Sequence, residues 1–175
     1  MAAPSSVDDH PGYAKLVKRL APGAAAGGLV IVTRPGALDA ELREWLMGNV
    51  SGRRSIGRTA FGDLLVFRDL RERARELGVG DPAREGDVAV VDVHFKRMTV
   101  LGTSVDTFLD GLDDPLFQKA FLRKELFDEV KRRLGACKPN ECYAFVPALA
   151  LGGSEDAGSV QRVDWRVHQA ILLQV

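Results

Sequence analysis

An α+β fold, an antiparallel sheet with helices packed on it and a mainly helical C-terminal part, follows from three features of the sequence. Short β-branched runs joined by hairpin-length turns crowd the first hundred residues. Runs with helical spacing dominate the remainder. The order lacks the regular βαβ alternation that builds a parallel sheet.

Residues 1–11 are polar, end at Pro11 and read as a loose tail. In the stretch that follows, Tyr13, Leu16, Val17 and Leu20 recur at i, i+3, i+4 and i+7, one helical face, until Ala21-Pro22-Gly23 breaks it. Leu29–Thr33 is short, β-branched and bounded by Gly28 and Pro35, so it reads as a buried strand. Leu38, Leu42, Trp45 and Leu46 then share a helix face. Ser55–Arg68 reads as two strands joined near Gly62-Asp63, with Leu65 and Phe67 on one face and Leu64 and Val66 on the other. Asp87–Phe95 is a strand with Ala89, Val91, Val93 and Phe95 on its core side; the other side turns polar at Asp92 and His94, as if emerging into solvent. Met98–Leu101 returns as its hairpin partner.

Ser104 caps a helix carrying Val105, Phe108, Leu109 and Leu112. Asp114-Pro115 opens another, with Asp at the cap and Pro at the first helical position. Its apolar series runs through Phe117, Phe121, Phe127, Val130 and Leu134 to Gly135. Periodicity leaves open whether this is one helix or two, broken near Arg123-Lys124. Val167, Ile171, Leu172 and Val175 form the face of a closing helix. The organisation is a tail over 1–11, an α+β part over 12–102, and a mostly helical part over 103–175 of the same compact unit.

Composition excludes several functions. With 175 residues and 46% hydrophobic content, the chain can bury a core without metal or disulfide staples. Its 24 basic and 24 acidic residues balance, so it lacks the positive field that drives phosphate binding, and nucleic acid is not an expected partner. No run approaches the ~18 apolar residues of a membrane span, and the polar N-terminus has no secretory pattern. A cytoplasmic location is expected. Cys137 and Cys142, separated by four residues, read as small buried thiols in a reducing compartment.

Catalytic and cofactor signatures are missing. There is no phosphate-binding glycine loop, dinucleotide fingerprint, nucleophile elbow or paired-histidine metal helix. No cofactor is expected. Asp113-Asp114 reads as a helix cap and Glu155-Asp156 as a solvated loop. Whether His94 meets Asp63 or Asp92 in space is left open by the sequence, so an enzyme built on Asp63, Asp92, His94 or Glu141 is one of three readings.

Two segments remain. Residues 70–86 open with a mixed-sign run, Arg71, Glu72, Arg73, Arg75 and Glu76, read as a short exposed helix before a glycine-rich loop. Lys138–Gly153 is apolar like a strand, yet Pro147 interrupts it and Gly152-Gly153 ends it, giving an edge strand or an extended buried crossing. Glu141 in that company needs backbone amides or an arginine if buried.

Lys138–Gly153, with Thr59-Ala60-Phe61-Gly62-Asp63-Leu64, resembles the two signature blocks of the GAD-like immunity family, whose best described members are immunity proteins of type VI secretion DNase effectors. The resemblance spans roughly 55–175. The opening 1–54 lacks the family's aromatic and glycine-rich start, and the 70–86 insert departs from its pattern. It implies a GAD-like N-terminal part, no enzymatic activity, and neutralisation of a cognate toxin, with a DNase as one chemistry. A second reading is a general protein-interaction or regulatory module of the same fold. The motif residues Phe61, Gly62, Asp63, Glu141, Tyr143, Phe145, Pro147, Gly152 and Gly153 are of types that fix a backbone and fill a core. The expected partner contact is therefore the 70–86 segment.

Overall fold

A computed structural model describes residues 6–78 and 86–175, with the side chains of Glu72, Arg73 and Glu76 excepted. Six strands form one antiparallel meander whose order in space is their order in sequence: β1 (Gly23–Ala25), β2 (Val30–Val32), β3 (Arg53–Thr59), β4 (Leu64–Asp69), β5 (Gly86–Asp92) and β6 (Arg97–Gly102). A two-stranded ribbon pairs β7 (Glu141–Phe145) with β8 (Val160–Asp164). The helices are α1 (Pro11–Arg19), α2 (Asp39–Trp45), α3 (Arg71–Glu76), α4 (Val105–Gly111), α5 (Pro115–Leu122), α6 (Lys124–Leu134) and α7 (Trp165–Leu173). The α+β class and its antiparallel sheet are as the sequence indicates.

The sheet is covered on both faces. Leu65, Phe67, Val88 and Val90 point into the larger core, filled by Tyr13 and Leu16 of α1, Phe108 of α4, Phe117 of α5, Phe127 and Val130 of α6, and Tyr143 of β7. Leu64, Val66, Ala89 and Val91 point the other way, against Leu42 of α2 and Trp165 of α7. All four residues Leu64–Phe67 are therefore buried, each side chain contributing about 1.5–3 kcal/mol.

Several local readings change. Of the 1–11 tail, the described part is structured: Val7–Asp9 is a helical turn, Val7 enters the core, and His10 caps α1 by accepting the Gly12 amide. Strand β5 stops at Asp92, because that carboxylate accepts the His94 and Phe95 amides and turns the chain. Alternation fails there: Val93 and His94 are both buried, while Phe95 is exposed. The face holding Asp92 and His94 faces the core, not solvent. The series 115–134 is two helices, broken at Arg123, whose backbone is left-handed (φ 56°, ψ 39°). Closing helix α7 buries Trp165, His168, Gln169 and Leu172, leaving Val167 and Ile171 exposed, so its apolar spacing marks the wrong face. Cys142 is buried but Cys137 only partly so. Segment 138–153 supplies β7, whose ladder ends before Pro147.

Candidate functional site

The two motif blocks meet. Thr59 closes the β3–β4 turn: its hydroxyl accepts the Phe61 and Asp63 amides and donates to the Asp63 carboxylate at 3.0 Å. This presents Phe61, fully buried, to β7, where it stacks on Phe145 (5.9 Å between centroids, 11°) and lies 5.8 Å from Tyr143. The Ala60 carbonyl accepts the Tyr143 amide at 2.9 Å. Gly62, at φ +93°, turns its carbonyl toward α7, where the Trp165 indole and Gln169 amide donate to it at 3.3 and 3.0 Å. A Cβ there would lie 3.2 Å from the Gln169 nitrogen.

In the second block, Glu141 accepts the Lys138 amide and pairs with Arg162 at 3.2 Å, the two kinds of partner its position demands. Tyr143 donates to the Gly135 carbonyl, tying β7 to the end of α6. After Phe145 the Val146–Pro147 peptide is cis, and the loop returns so tightly that a Cβ on Gly153 would sit 1.9 Å from the Pro147 carbonyl oxygen.

Two arginines complete the junction, and sequence reasoning missed both. Arg58 is buried on β3, donates to the Pro139 and Glu141 carbonyls at 2.9 Å each, and lies 5.3 Å over the Trp165 ring. Burial lowers its pKa. Arg123, at the α5–α6 break, reaches Asp63 at 2.9 Å, Asp92 at 3.1 Å and Glu155 at 2.7 Å. Burial pulls its pKa down, but Asp63 and Asp92, then Glu155, outweigh that and raise it. The only sequence signal for Arg123 was the ambiguous helix break.

Asp63, Asp92 and His94 do converge, with both carboxylates and His94 Nε2 engaged and His94 Nδ1 buried without a hydrogen-bond partner. The second Asp63 oxygen accepts the Val93 amide, and the second Asp92 oxygen holds the β5–β6 turn. His94 Nε2 bonds the Phe61 carbonyl at 3.0 Å, and its ring packs edge-on against Phe145. His168 lies 5.6 Å from it, with Nε2 buried and lacking a hydrogen-bond partner; burial, then His94, push its pKa down to about 4. Glu141 stands apart with Arg162. Burial lifts the Cys142 thiol to about 12 and raises Cys137, so both are protonated thiols at neutral pH. What this arrangement does chemically is clamp the sheet, ribbon and helices together. Among the described residues no group of three or more His, Cys, Asp or Glu could hold a metal ion, and no helix is long and apolar enough to cross a membrane.

The charged run lies elsewhere. Arg71 is held by the Asp69 carboxylate and the Ser6 carbonyl, and Arg75 is exposed, donating to the Arg71 carbonyl. The side chains of Glu72, Arg73 and Glu76 and the loop 79–85 lie outside the described residues.

Residues 102–175 match the family model described as T6SS immunity protein Tdi1, C-terminal. That stretch contains α4–α7, the β7–β8 ribbon and Arg123, and the match is shorter than the 55–175 over which the sequence resembles an immunity family. Among solved structures, the chain resembles the "Crystal structure of Atu4351 from Agrobacterium tumefaciens", with a TM-score of 0.66 and 16% identity, covering 93% of this chain and 74% of that one. At that identity the likeness shows the fold alone. No curated protein matches the chain.

Proposed function

We propose that this protein is an immunity protein that binds and neutralises a cognate effector of a type VI secretion system, by occupancy and without turnover. The observation that carries this reading is the match of residues 102–175 to the immunity-protein family. The engagement of Asp63, Asp92 and His94 Nε2 in structural hydrogen bonds, with His94 buried against Phe145, supports action by binding. On this reading the motif residues, from Phe61 and Gly62 to Pro147 and Gly153, are scaffold and the effector is met elsewhere. A DNase is the effector chemistry that the family resemblance suggests.

The test is a toxicity rescue. Each gene adjacent to this one is expressed in a tester cell with and without the protein. Growth arrest by one neighbour, relieved on co-expression and accompanied by co-purification, is the expected result. Degraded chromosomal DNA in the arrested cells would identify a nuclease. Neighbours that are neither toxic nor bound would reject the immunity reading in favour of a general interaction module.

A further inference from the structure

Strand β6 ends the sheet, and it is an unusually unguarded edge. Its register pairs it with β5 alone, so its outer row of backbone donors and acceptors has no strand beside it among the described residues. Soluble proteins usually blunt such an edge with a central lysine, a proline or a covering helix. Here α4 covers only the far end, where Leu101 and Gly102 are buried beyond a bulge. The open stretch Arg97–Val100 is uncharged after Arg97, contains no proline, and leaves Val100 40% exposed.

A groove flanks this edge on each face of the sheet. On one side, about 270 Å³ opens beside Thr99, a mixed groove where the exposed aromatics Phe95 and Phe121 stand among the charged Arg97, Lys119 and Glu155. On the other, about 390 Å³ lies between Met98, Trp45 and the almost fully exposed Met47. Successive residues of an added strand point alternately to the two faces, so these grooves stand where its side chains would fall.

We propose that β6 is the docking edge for an extended segment of the cognate effector, which adds as a seventh strand. Apolar side chains of that segment enter the groove beside Met98, polar ones enter the mixed groove beside Thr99, and an acidic residue meets Arg97 at the start of β6. Arg97 is exposed, and the nearest carboxylate to it, Asp92 at 3.7 Å, is already paired with Arg123; the exposed Lys96 beside it donates to the Val175 carbonyl. Strand β6 itself carries no carboxylate, so two copies pairing edge to edge would leave these cationic corners unmatched. A cation-tipped edge also does not imitate DNA, so on this face inhibition would not proceed by phosphate mimicry. The proposal rests on the immunity reading.

The experiment is amide hydrogen exchange on the full chain, alone and with the effector identified by rescue, alongside affinity measurements on exposed-residue variants. Slowed exchange at Met98–Val100 on binding is expected. Val100→Asp, with its thermal midpoint unchanged, and Arg97→Gln, which avoids placing a second carboxylate beside Asp92, should each weaken binding about tenfold or more. Binding without protection of β6, or with full affinity in both variants, overturns the docking edge and leaves the immunity reading intact. Protection of β6 by self-association without effector assigns the edge to a second copy and also overturns it. If no effector binds the wild-type chain, the immunity reading itself fails.

Discussion

Replacing Arg123 with methionine isolates the junction on which the two halves of the sequence converge. Methionine keeps the length and apolar bulk of the stem but removes the charge. Asp63 and Asp92 then lose their shared counter-ion at side-chain exposures of 3% and 8%, while Glu155, at 41%, is exposed enough to be rehydrated. Removing one partner from a buried ion pair costs about 3–5 kcal/mol, and an exposed pair contributes at most about 1 kcal/mol. The left-handed backbone at position 123 is strained for either side chain, so it cancels in the comparison. We therefore expect a loss of about 4 kcal/mol, read as a lower urea midpoint at unchanged slope, and a fall in melting temperature on the order of 10 °C. Asp92→Asn in the Arg123→Met background should cost less than in the wild type, since the charge it removes has already lost its buried partner and keeps only the exposed Arg97 at 3.7 Å. A loss below about 1 kcal/mol for Arg123→Met would refute the idea that this guanidinium holds the helices to the sheet.

Three further outcomes follow from the same geometry. With the folded pKa of His168 pushed down to about 4 against 6.5 unfolded, its contribution is complete above pH 6.5 and is lost as pH falls through 4; this amounts to about 3 kcal/mol. His168→Leu should flatten the stability profile between those values, and an unchanged slope would contradict it. Phe61→Ala should destabilise by about 3–5 kcal/mol, because the ring is fully buried between Tyr143 and Phe145; chemical denaturation measures this. Gly153→Ala forces a Cβ toward the Pro147 carbonyl and should cost about 3 kcal/mol or more, whereas Gly152→Ala, with nothing within 4 Å, meets only the penalty of its left-handed backbone. Equal losses for the two would refute the packing account.

Legibility differed by the range of the interaction. Strands β2, β4 and β5 and helices α1, α2 and α4 were visible because burial against a nearby surface writes a period of 2.0 or 3.6 into consecutive residues. Strand β8 was not: Val160–Asp164 has one buried residue and is a strand because β7 supplies its ladder. In α7, His168 and Gln169 are buried polar residues held against His94 and the Gly62 carbonyl, while Val167 and Ile171 stay exposed, so hydropathy alone selected the wrong face.

By itself the sequence determined the fold class and the positions of most turns and caps, since these depend on local backbone preference and on the amount of apolar surface to be hidden; the two motif blocks came from the family resemblance. Only the tertiary structure decided that the blocks form one junction, that Arg58 and Arg123 clamp it, and that β6 is left open beside two grooves. Asp63 and Arg123 are sixty positions apart and meet across 2.9 Å. The energy of such a contact depends on exclusion of water by the whole surrounding core, which no stretch of neighbouring residues encodes.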